Sequence, residues 1–267
     1  MNLRDEVDKL KREGFSEANA ESKICQDIVL LAISKSGMCK NATIKGGVVM
    51  RSLSKDARRA TRDLDLDFIR YSISDDSIRG FIERLNCLES LSLYMDGTII
   101  ELNHQDYKGK RINLNVEDIE GTILSLKMDI GVHNDLSLEQ EEYGFDVAFQ
   151  DDVVSLLINS KAQMITEKLK SLVRFGSRST RYKDIFDIYY LQKSVDKEKM
   201  KICIHKYIFN DISLQNVTTM DDVIRRVERV FNNKRYIQEL DKSGKNWLGI
   251  PINEVLESNL EFLRTLM

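Results

Sequence analysis

The stretch DLDLDFI, residues 63–69, alternates strictly between acidic and apolar side chains. In a β-strand, successive side chains point to opposite faces of the sheet, so this period of two predicts a half-buried strand. Its apolar face carries Leu64, Leu66 and Phe68, and its other face carries Asp63, Asp65 and Asp67. Because Asp is a poor strand former and neighbouring like charges repel, we expect something positive at this acidic face.

The segments around this strand predict an α+β unit. Upstream, residues 16–36 have the apolar spacing of a helix, and a short apolar stretch at 42–44 leads through Gly46-Gly47 into a second helix. Downstream, residues 75–88 again have helical spacing. Three strand-like stretches follow, near residues 91–102, 110–117 and 122–133, and they favour an antiparallel meander.

After about residue 152 the strand signals stop. The rest of the sequence has helical periodicity in five segments with short polar breaks, and the first segment begins VVSLLINSK at residue 153. We therefore predict an α/β domain over residues 1–152 and a helical domain over residues 153–267. No Gly/Ser linker separates the two, so we expect the helical domain to pack on the first.

Composition narrows the class of protein. The chain has 267 residues, a net charge of −3 and 42% hydrophobic residues, which is typical of a globular protein and argues against a non-specific nucleic-acid coat. The single proline favours a helix-rich chain. No apolar run approaches the about 20 residues of a membrane span, and the N-terminal sequence is unlike a signal peptide. We therefore expect a cytoplasmic protein with no membrane partner.

The acidic strand face predicts a magnesium site. A calcium loop of the EF-hand type also begins D-x-D-x-D, but it needs a glycine and a carboxylate where this chain has Phe68 and Ser74. Mg²⁺ takes oxygen ligands and bridges carboxylates to phosphates, and two carboxylates two residues apart can share two ions during phosphoryl transfer. The backbone N–H groups of Gly46-Gly47, ahead of a helix, suit a phosphate. A solvated acidic face remains the alternative.

Two blocks of sequence carry a family resemblance. Residues 45–68 read KGGVVMRSLSKDARRATRDLDLDF, with a glycine pair followed by Thr-x-Asp-Leu-Asp. Residues 165–191 read ITEKLKSLVRFGSRSTRYKDIFDIYYL. Together the blocks resemble the AbiEii/AbiGii-type toxin nucleotidyltransferases, including the MenT group, within the DNA polymerase β-like superfamily. The resemblance implies a small mixed β-sheet carrying the metals, followed by a helical C-terminal domain.

The resemblance assigns roles in the first block position by position. It implies that Gly46 and Gly47 approach the triphosphate of a nucleoside triphosphate (NTP) substrate and that Thr61 is the hydroxyl residue before the first catalytic Asp. Asp63 and Asp65 match the metal-binding catalytic pair. The sequence DLDLDF contains a second D-x-D, formed by Asp65 and Asp67, so whether Asp67 is a metal ligand stays open.

The superfamily is also expected to have a third carboxylate on a neighbouring strand. In LSLKMDIGVHND, which begins at Leu124, apolar residues alternate with Ser125, Lys127, Asp129 and Gly131. Asp129 therefore points away from the apolar face. It is the candidate for the third metal ligand and for the group that helps deprotonate the acceptor hydroxyl, and an ordinary surface aspartate is the alternative.

In the second block, Lys168 and Asp184 match the functional lysine and aspartate of the family. The resemblance implies that both are catalytic and that Lys168 supplies a positive charge to the triphosphate. Asp187 lies three residues beyond Asp184 and is the weaker match. The secondary candidates for contact with phosphate or acceptor are Arg174, Arg178 and Arg181.

The function implied is a Mg²⁺-dependent nucleotidyltransferase that uses an NTP, acts on RNA or tRNA as a toxin, and is restrained by a separately encoded antitoxin protein. Residues 51–62 carry five basic side chains and one acidic one, and residues 161–183 carry seven and one. Two such basic segments favour a polyanionic acceptor. Two alternatives stay open, namely a non-catalytic nucleotide-binding or partner-binding module, and an enzyme that modifies a small molecule or a protein.

Overall fold

The computed structural model describes residues 2–102, 109–133, 135–242 and 244–267. It divides into two compact units, Met1–Asn159 and Ser160–Met267. The first unit holds the mixed β-sheet and the second is built of helices, which confirms the predicted fold class. None of the described helices is long and apolar enough to cross a lipid bilayer.

The sheet of the first unit has seven strands in the part of the chain that the structure describes. They are β1 (Ala42–Lys45), β2 (Asp63–Phe68), β3 (Leu91–Leu102), β4 (Gly109–Asp118), β5 (Ile123–Val132), β6 (Glu141–Phe145) and β7 (Val154–Ile158). Their order across the sheet is β3-β4-β5-β2-β1-β7-β6. The acidic strand β2 is central, antiparallel to β1 and parallel to β5. The predicted meander is confirmed, since β3, β4 and β5 pair antiparallel in succession.

The helices of the first unit cover the apolar side chains of the sheet. They are α1 (Leu3–Arg12), α2 (Glu17–Lys35), α3 (Gly46–Ser54) and α4 (Asp75–Leu85). The apolar run from Ile28 to Ile33 makes α2 a core helix, with every residue of the run buried. The side chain of Ser74 accepts a hydrogen bond from the backbone N–H of Ser77 and so caps α4.

The second unit contains six α-helices among the residues described. They are α5 (Lys161–Phe175), α6 (Lys183–Leu191), α7 (Lys197–Ile204), α8 (Met220–Phe231), α9 (Lys234–Leu240) and α10 (Ile252–Arg264). Two begin at a reciprocal capping box, formed by Ser160 with Gln163 for α5 and by Thr219 with Asp222 for α8. Each box satisfies backbone N–H groups that a helix start otherwise leaves unpaired.

The boundary between sheet and helices lies later than the sequence predicts. Residues 154–158, which we expected to begin the first C-terminal helix, form strand β7, parallel to β1 and antiparallel to β6. The prediction was wrong because a five-residue apolar stretch reads equally well as buried strand and as buried helix. The Ser160 cap starts the helix only at Lys161, so the first unit extends to Asn159 instead of residue 152.

Candidate active site

A row of four charged side chains crosses the sheet through Asp65. Lys45 of β1 lies opposite Asp65, Asp65 lies opposite Asp129 of β5, and Asp129 lies opposite Arg111 of β4. Directly opposed residues project from the same face of a sheet, so two carboxylates lie side by side between two cations. We call these four residues the charged row. The positive partners expected at the acidic face are therefore supplied by β1 and β4, the strands on either side of the two that carry the carboxylates.

Arg111 holds Asp129 through a two-point ion pair. Its Nε and Nη2 donate to Oδ1 and Oδ2 of Asp129 at 2.6 and 2.8 Å, the bidentate geometry that suits guanidinium and carboxylate. Asp129 is buried and Arg111 is partly exposed. The hydrogen bond with Asp129 raises the pKa of Arg111, and the charges of Asp63 and Asp65 act in the same direction. Arg111 therefore lies within the electrostatic reach of all three carboxylates.

Asp63 stands on the same face of β2, at the edge of this cluster. It lies opposite Lys127 of β5, whose Nζ is 3.7 Å from Asp63 Oδ1. Both side chains are more than 40% exposed, at 42% and 46%, so this ion pair contributes little to stability. The carboxylate of Asp63 thus remains accessible to a ligand.

Asp67 differs from the other two aspartates of the strand. Its Oδ2 accepts a hydrogen bond from Lys45 Nζ at 2.8 Å, and both side chains are buried. Asp67 is therefore engaged in an internal ion pair between β1 and β2. Of the two possible D-x-D pairs, this arrangement favours Asp63 with Asp65 over Asp65 with Asp67 as the ligand pair.

The glycine pair lets the start of α3 approach the acidic strand. Gly46 has a left-handed backbone with φ of 64°, and a Cβ at this position would collide with the carboxylate of Asp65. A Cβ on Gly47 would lie 2.5 Å from Cβ of Thr61. The fold thus brings Asp129 together with the predicted site residues of the first block, which are Gly46, Gly47, Thr61, Asp63 and Asp65. A role for the glycines at a triphosphate stays a prediction.

Replacing Gly47 with alanine is expected to destabilise the first unit by about 1–3 kcal/mol, because the added methyl group overpacks the contact with Thr61. Chemical denaturation followed by far-UV circular dichroism measures this loss. Gly80 is the matched control: it lies inside α4 with open space around its Cα, so Gly80→Ala should stabilise by about 0.5–1 kcal/mol. Equal behaviour of the two variants would contradict the proposed contact.

In the second unit, Lys168 links two aspartates of α6. Its Nζ lies 2.8 Å from Asp184 Oδ1 and 2.8 Å from Asp187 Oδ2. Asp187 is fully buried, and its Oδ1 accepts a hydrogen bond of 3.0 Å from the indole N–H of Trp247. Lys168 and Asp184 are thus brought together within this unit, and Asp187, the weaker match in sequence, belongs to the same cluster.

A cavity of about 380 Å³ opens beside Asp184. Its walls are Thr180, Arg181, Tyr182, Lys183, Asp184, Gly244 and Lys245. Of the three secondary arginines, Arg181 lines this cavity, Arg178 is exposed, and Arg174 lies 5.5 Å from the ring centre of Phe175. The cavity carries several cationic side chains and one aromatic ring, a combination that suits an anionic ligand.

The basic segment before β2 is less exposed than its composition indicates. Arg51 and Arg59 are buried, whereas Lys55, Arg58 and Arg62 are exposed. In residues 161–183, Lys168 forms ion pairs with Asp184 and Asp187. Nζ of Lys170 lies 2.6 Å from Oδ2 of Asp211. Composition alone therefore overstates the exposed positive charge of these two segments, because a run of charges in sequence does not reveal which of them meet buried carboxylates.

The carboxylates of Asp63, Asp65 and Asp129 have the chemistry of a magnesium site, since they are hard oxygen donors on adjacent strands. In the described ranges, no three His, Cys, Asp or Glu side chains converge closely enough to hold a metal as they stand. Asp129 is turned to Arg111, and each of its oxygens keeps a second lone pair. The donor set and its strand register fit a divalent cation, and the side chains would have to rotate to gather around it.

Comparison with known proteins connects this geometry to a family. Residues 28–242 match the family described as "Nucleotidyl transferase AbiEii toxin, Type IV TA system". The chain belongs to the AbiEii nucleotidyltransferase toxin family. The matched range contains every predicted site residue, from Gly46 to Asp184. Membership makes the protein a nucleotidyltransferase with a nucleotide substrate, and it implies an antitoxin partner.

Among solved structures, the AbiEii-family chain is similar to an antigenic nucleotidyltransferase-like protein from Paracoccidioides brasiliensis, with 15% sequence identity and a TM-score of 0.48. That alignment covers 80% of this chain and 93% of the fungal one. No protein among those with curated descriptions matches the chain.

Sequence reasoning missed Arg111. The stretch KRINLNVED of β4 alternates as a half-buried strand should, which places Arg111 on its polar face. What the sequence does not contain is the register between β4 and β5, and that register alone sets Arg111 opposite Asp129. The residue could have been found only by pairing the polar faces of the two strands.

Proposed function

We propose that this AbiEii-family protein is a Mg²⁺-dependent enzyme that moves a nucleoside monophosphate from an NTP to a hydroxyl group of RNA. The observation that carries the proposal is the side-by-side placement of Asp65 and Asp129, with Asp63 on the same face. Carboxylates on adjacent strands close to a glycine turn suit the two-metal catalysis of phosphoryl transfer.

 Family membership supports the transfer chemistry.

Asp63, Asp65 and Asp129 are the residues that would hold the metal. When bound, Mg²⁺ supplies positive charge to the phosphate oxygens and to the attacking and leaving oxygens. Strand pairing keeps the three carboxylates in register, because Asp63 and Asp65 belong to one strand and Asp129 belongs to its hydrogen-bonded neighbour. Arg111 keeps Asp129 oriented until the ligands gather.

The proposed reaction is an in-line displacement at the α-phosphorus. The oxygen of the acceptor hydroxyl forms a bond to the α-phosphorus, and the bond from the α-phosphorus to the bridging oxygen breaks. Pyrophosphate leaves with the electron pair of that bond. The hydroxyl proton passes to a carboxylate oxygen, for which we propose Asp129.

Further residues of the proposal rest on the family resemblance. Gly46, Gly47 and Thr61 are proposed to contact the triphosphate through backbone N–H groups and a hydroxyl group. Lys168 and Asp184 of the helical unit are proposed as nucleotide-binding and catalytic residues, with the lysine supplying positive charge. NTPs and tRNA are cytoplasmic molecules, so we propose that the enzyme acts in the cytoplasm and that its antitoxin restrains it there.

RNA is proposed as the acceptor because exposed cations lie next to the carboxylates in sequence. Arg62 directly precedes Asp63 and is exposed, as are Lys55 and Arg58 of the same segment. We expect Arg62→Ala to weaken transfer to RNA more than it weakens NTP binding, with the largest loss at low salt, because phosphate contacts act by releasing counterions. Transfer measured across a salt series tests this, with Arg12→Ala, an exposed arginine of α1, as the control.

The experiment for the function is pyrophosphate release with each NTP in turn, in the presence of Mg²⁺ and total cellular RNA. Release that depends on RNA supports the proposal. Release with a small molecule or a protein as the only acceptor would reassign the acceptor and keep the chemistry. Binding of NTP without release under any of these conditions would leave a non-catalytic nucleotide-binding module.

Arg111 provides a separate prediction about the charged row. Arg111→Met removes the cation that holds Asp129, so repulsion among the carboxylates should lower the thermal midpoint of the metal-free protein. Adding Mg²⁺ should then raise the midpoint more in the variant than in the wild type, because the metal replaces the missing charge. Differential scanning fluorimetry with and without Mg²⁺ measures both values, and an equal gain in the two proteins would contradict the prediction.

A further inference from the structure

We propose that Gln26, a buried residue of α2, is a positioning residue that sets the place of Asp63. The inference rests on the proposed function, because it takes Asp63 to be a metal ligand. Gln26 lies on a core helix outside both sequence blocks that carry the family resemblance. Its side chain is fully buried, and it contacts the backbone at the start of the acidic strand.

The amide nitrogen of Gln26 makes two hydrogen bonds to that backbone. Nε2 donates to the carbonyl oxygen of Thr61 at 3.1 Å and to the carbonyl oxygen of Asp63 at 3.2 Å. These two carbonyl groups flank Arg62, at the point where the turn ends and β2 begins. One planar NH₂ group thus fixes the backbone on both sides of the residue that precedes Asp63.

The amide oxygen of Gln26 joins the same point to the glycine-pair helix. Oε1 accepts a hydrogen bond of 2.5 Å from Nη1 of Arg51, a residue of α3. Arg51 is buried, and its Nη2 lies 3.6 Å from Oδ1 of Asp27, the neighbour of Gln26 on α2. Gln26 therefore connects three elements: the core helix α2, the helix that begins at Gly46, and the start of the strand that carries Asp63 and Asp65.

This arrangement has a cost that points to a role in positioning. A buried amide is tolerated only when its donors and acceptor are satisfied, and here both N–H groups and the oxygen have partners. An apolar residue would fill the same helix position without needing that match. What only the amide supplies is a defined location for the carbonyl groups of Thr61 and Asp63. Partners that orient a metal ligand in this way typically affect metal affinity as well as rate.

Two substitutions separate positioning from packing. Gln26→Met keeps the length of the side chain and removes all three hydrogen bonds. Gln26→Glu keeps an acceptor for Arg51 but loses the donation to the two carbonyl groups. The matched control is Asn41→Ala, because Nδ2 of Asn41 donates to the carbonyl oxygen of Ile69 at 3.3 Å, just beyond the opposite end of the same strand.

The experiment measures Mn²⁺ binding to the full-length protein by electron paramagnetic resonance of the free ion, together with kcat and KM for the NTP. We expect both Gln26 variants to lose about 10- to 100-fold in Mn²⁺ affinity and in kcat, with KM unchanged. Asn41→Ala should match the wild type in all three quantities. Circular dichroism confirms that each variant is folded, and if Gln26→Met does not fold, Gln26→Glu decides by the same measurements.

If a folded Gln26 variant keeps the wild-type Mn²⁺ affinity and kcat, the inference is overturned, and Gln26 then contributes only to the stability of the core. An equal loss in Asn41→Ala would overturn it too, because the effect would then belong to strand stability in general. If the wild type binds Mn²⁺ but releases no pyrophosphate, the proposed function fails, while the difference in Mn²⁺ affinity still tests the role of Gln26.

Discussion

Asp63→Asn and Asp65→Asn should each abolish nucleotide transfer and leave the fold intact. The substitution keeps the shape of the side chain and removes one of the negative charges that would hold the metal. Loss of an electrostatic contact of this kind costs about 10²- to 10³-fold in rate or more. Because both side chains are partly exposed and lie in a cluster of like charges, the fold should lose little, and removal of a charge even relieves repulsion.

The rate of pyrophosphate release and the thermal midpoint of each variant check this expectation. Asp96→Asn is the matched control, since Asp96 is an exposed aspartate of the same sheet, on β3 and outside the charged row. Asp67→Asn should behave differently again: it weakens a buried ion pair with Lys45 and should cost about 1.5–3 kcal/mol of stability. If Asp67→Asn alone were inactive and fully stable, the ligand pair would have to move to Asp65 and Asp67.

Lys168→Met should destabilise the second unit by about 3–5 kcal/mol, because it leaves the carboxylates of Asp184 and Asp187 in a buried site without the cation that they share. Activity should fall as well, since we propose that Lys168 supplies positive charge to the triphosphate. The structure adds a reason for the lysine that the resemblance does not contain. It holds together two aspartates of the helix α6.

Trp247 offers a direct readout of this prediction. It is the single tryptophan of the chain, it is buried in the second unit, and its indole N–H bonds to Asp187. Tryptophan fluorescence during urea denaturation therefore follows that unit alone. Lys161→Met is the control, because Lys161 lies at the start of the same helix and its Nζ donates to the exposed hydroxyl group of Ser194 at 2.7 Å. An unchanged urea midpoint in Lys168→Met would contradict the role of the lysine in holding this cluster.

Much of the fold could be predicted because its patterns are local. The alternation in residues 63–69 identifies β2, and the same period identifies the strand that carries Asp129. The glycine pair before a helix was also readable, although the helix begins at Gly46 itself. In each case a few consecutive residues carry the whole signal, so no knowledge of distant contacts is needed.

The strands β6 and β7 could not be predicted in the same way. Each has five residues, and β7 is nearly continuous in apolar character, so neither period stands out. β7 becomes a strand through its parallel pairing with β1, a contact between residues more than a hundred positions apart. Tertiary pairing of this kind overrides the weak local preference of a short apolar stretch.

The partners of the candidate site were hidden for a related reason. Arg111 reaches Asp129 only through the register of two strands, and Gln26 reaches Asp63 from a helix that reads in sequence as part of the core. The run of basic residues indicated more surface charge than the structure has. Arg51 reads in sequence as part of a basic surface, but it is buried and donates to Gln26. Which polar groups meet in the interior depends on packing, and sequence spacing does not encode it.

The most direct test of the central claim follows the phosphate groups of the substrate. Purified protein is incubated with Mg²⁺, total cellular RNA and NTPs labelled either at the α-phosphate or at the γ-phosphate, with Asp65→Asn as the inactive control. We predict that α-label appears in RNA, that γ-label appears in pyrophosphate, and that Asp65→Asn gives neither. Transfer of γ-label to an acceptor, or equal α-label transfer by Asp65→Asn, would contradict it.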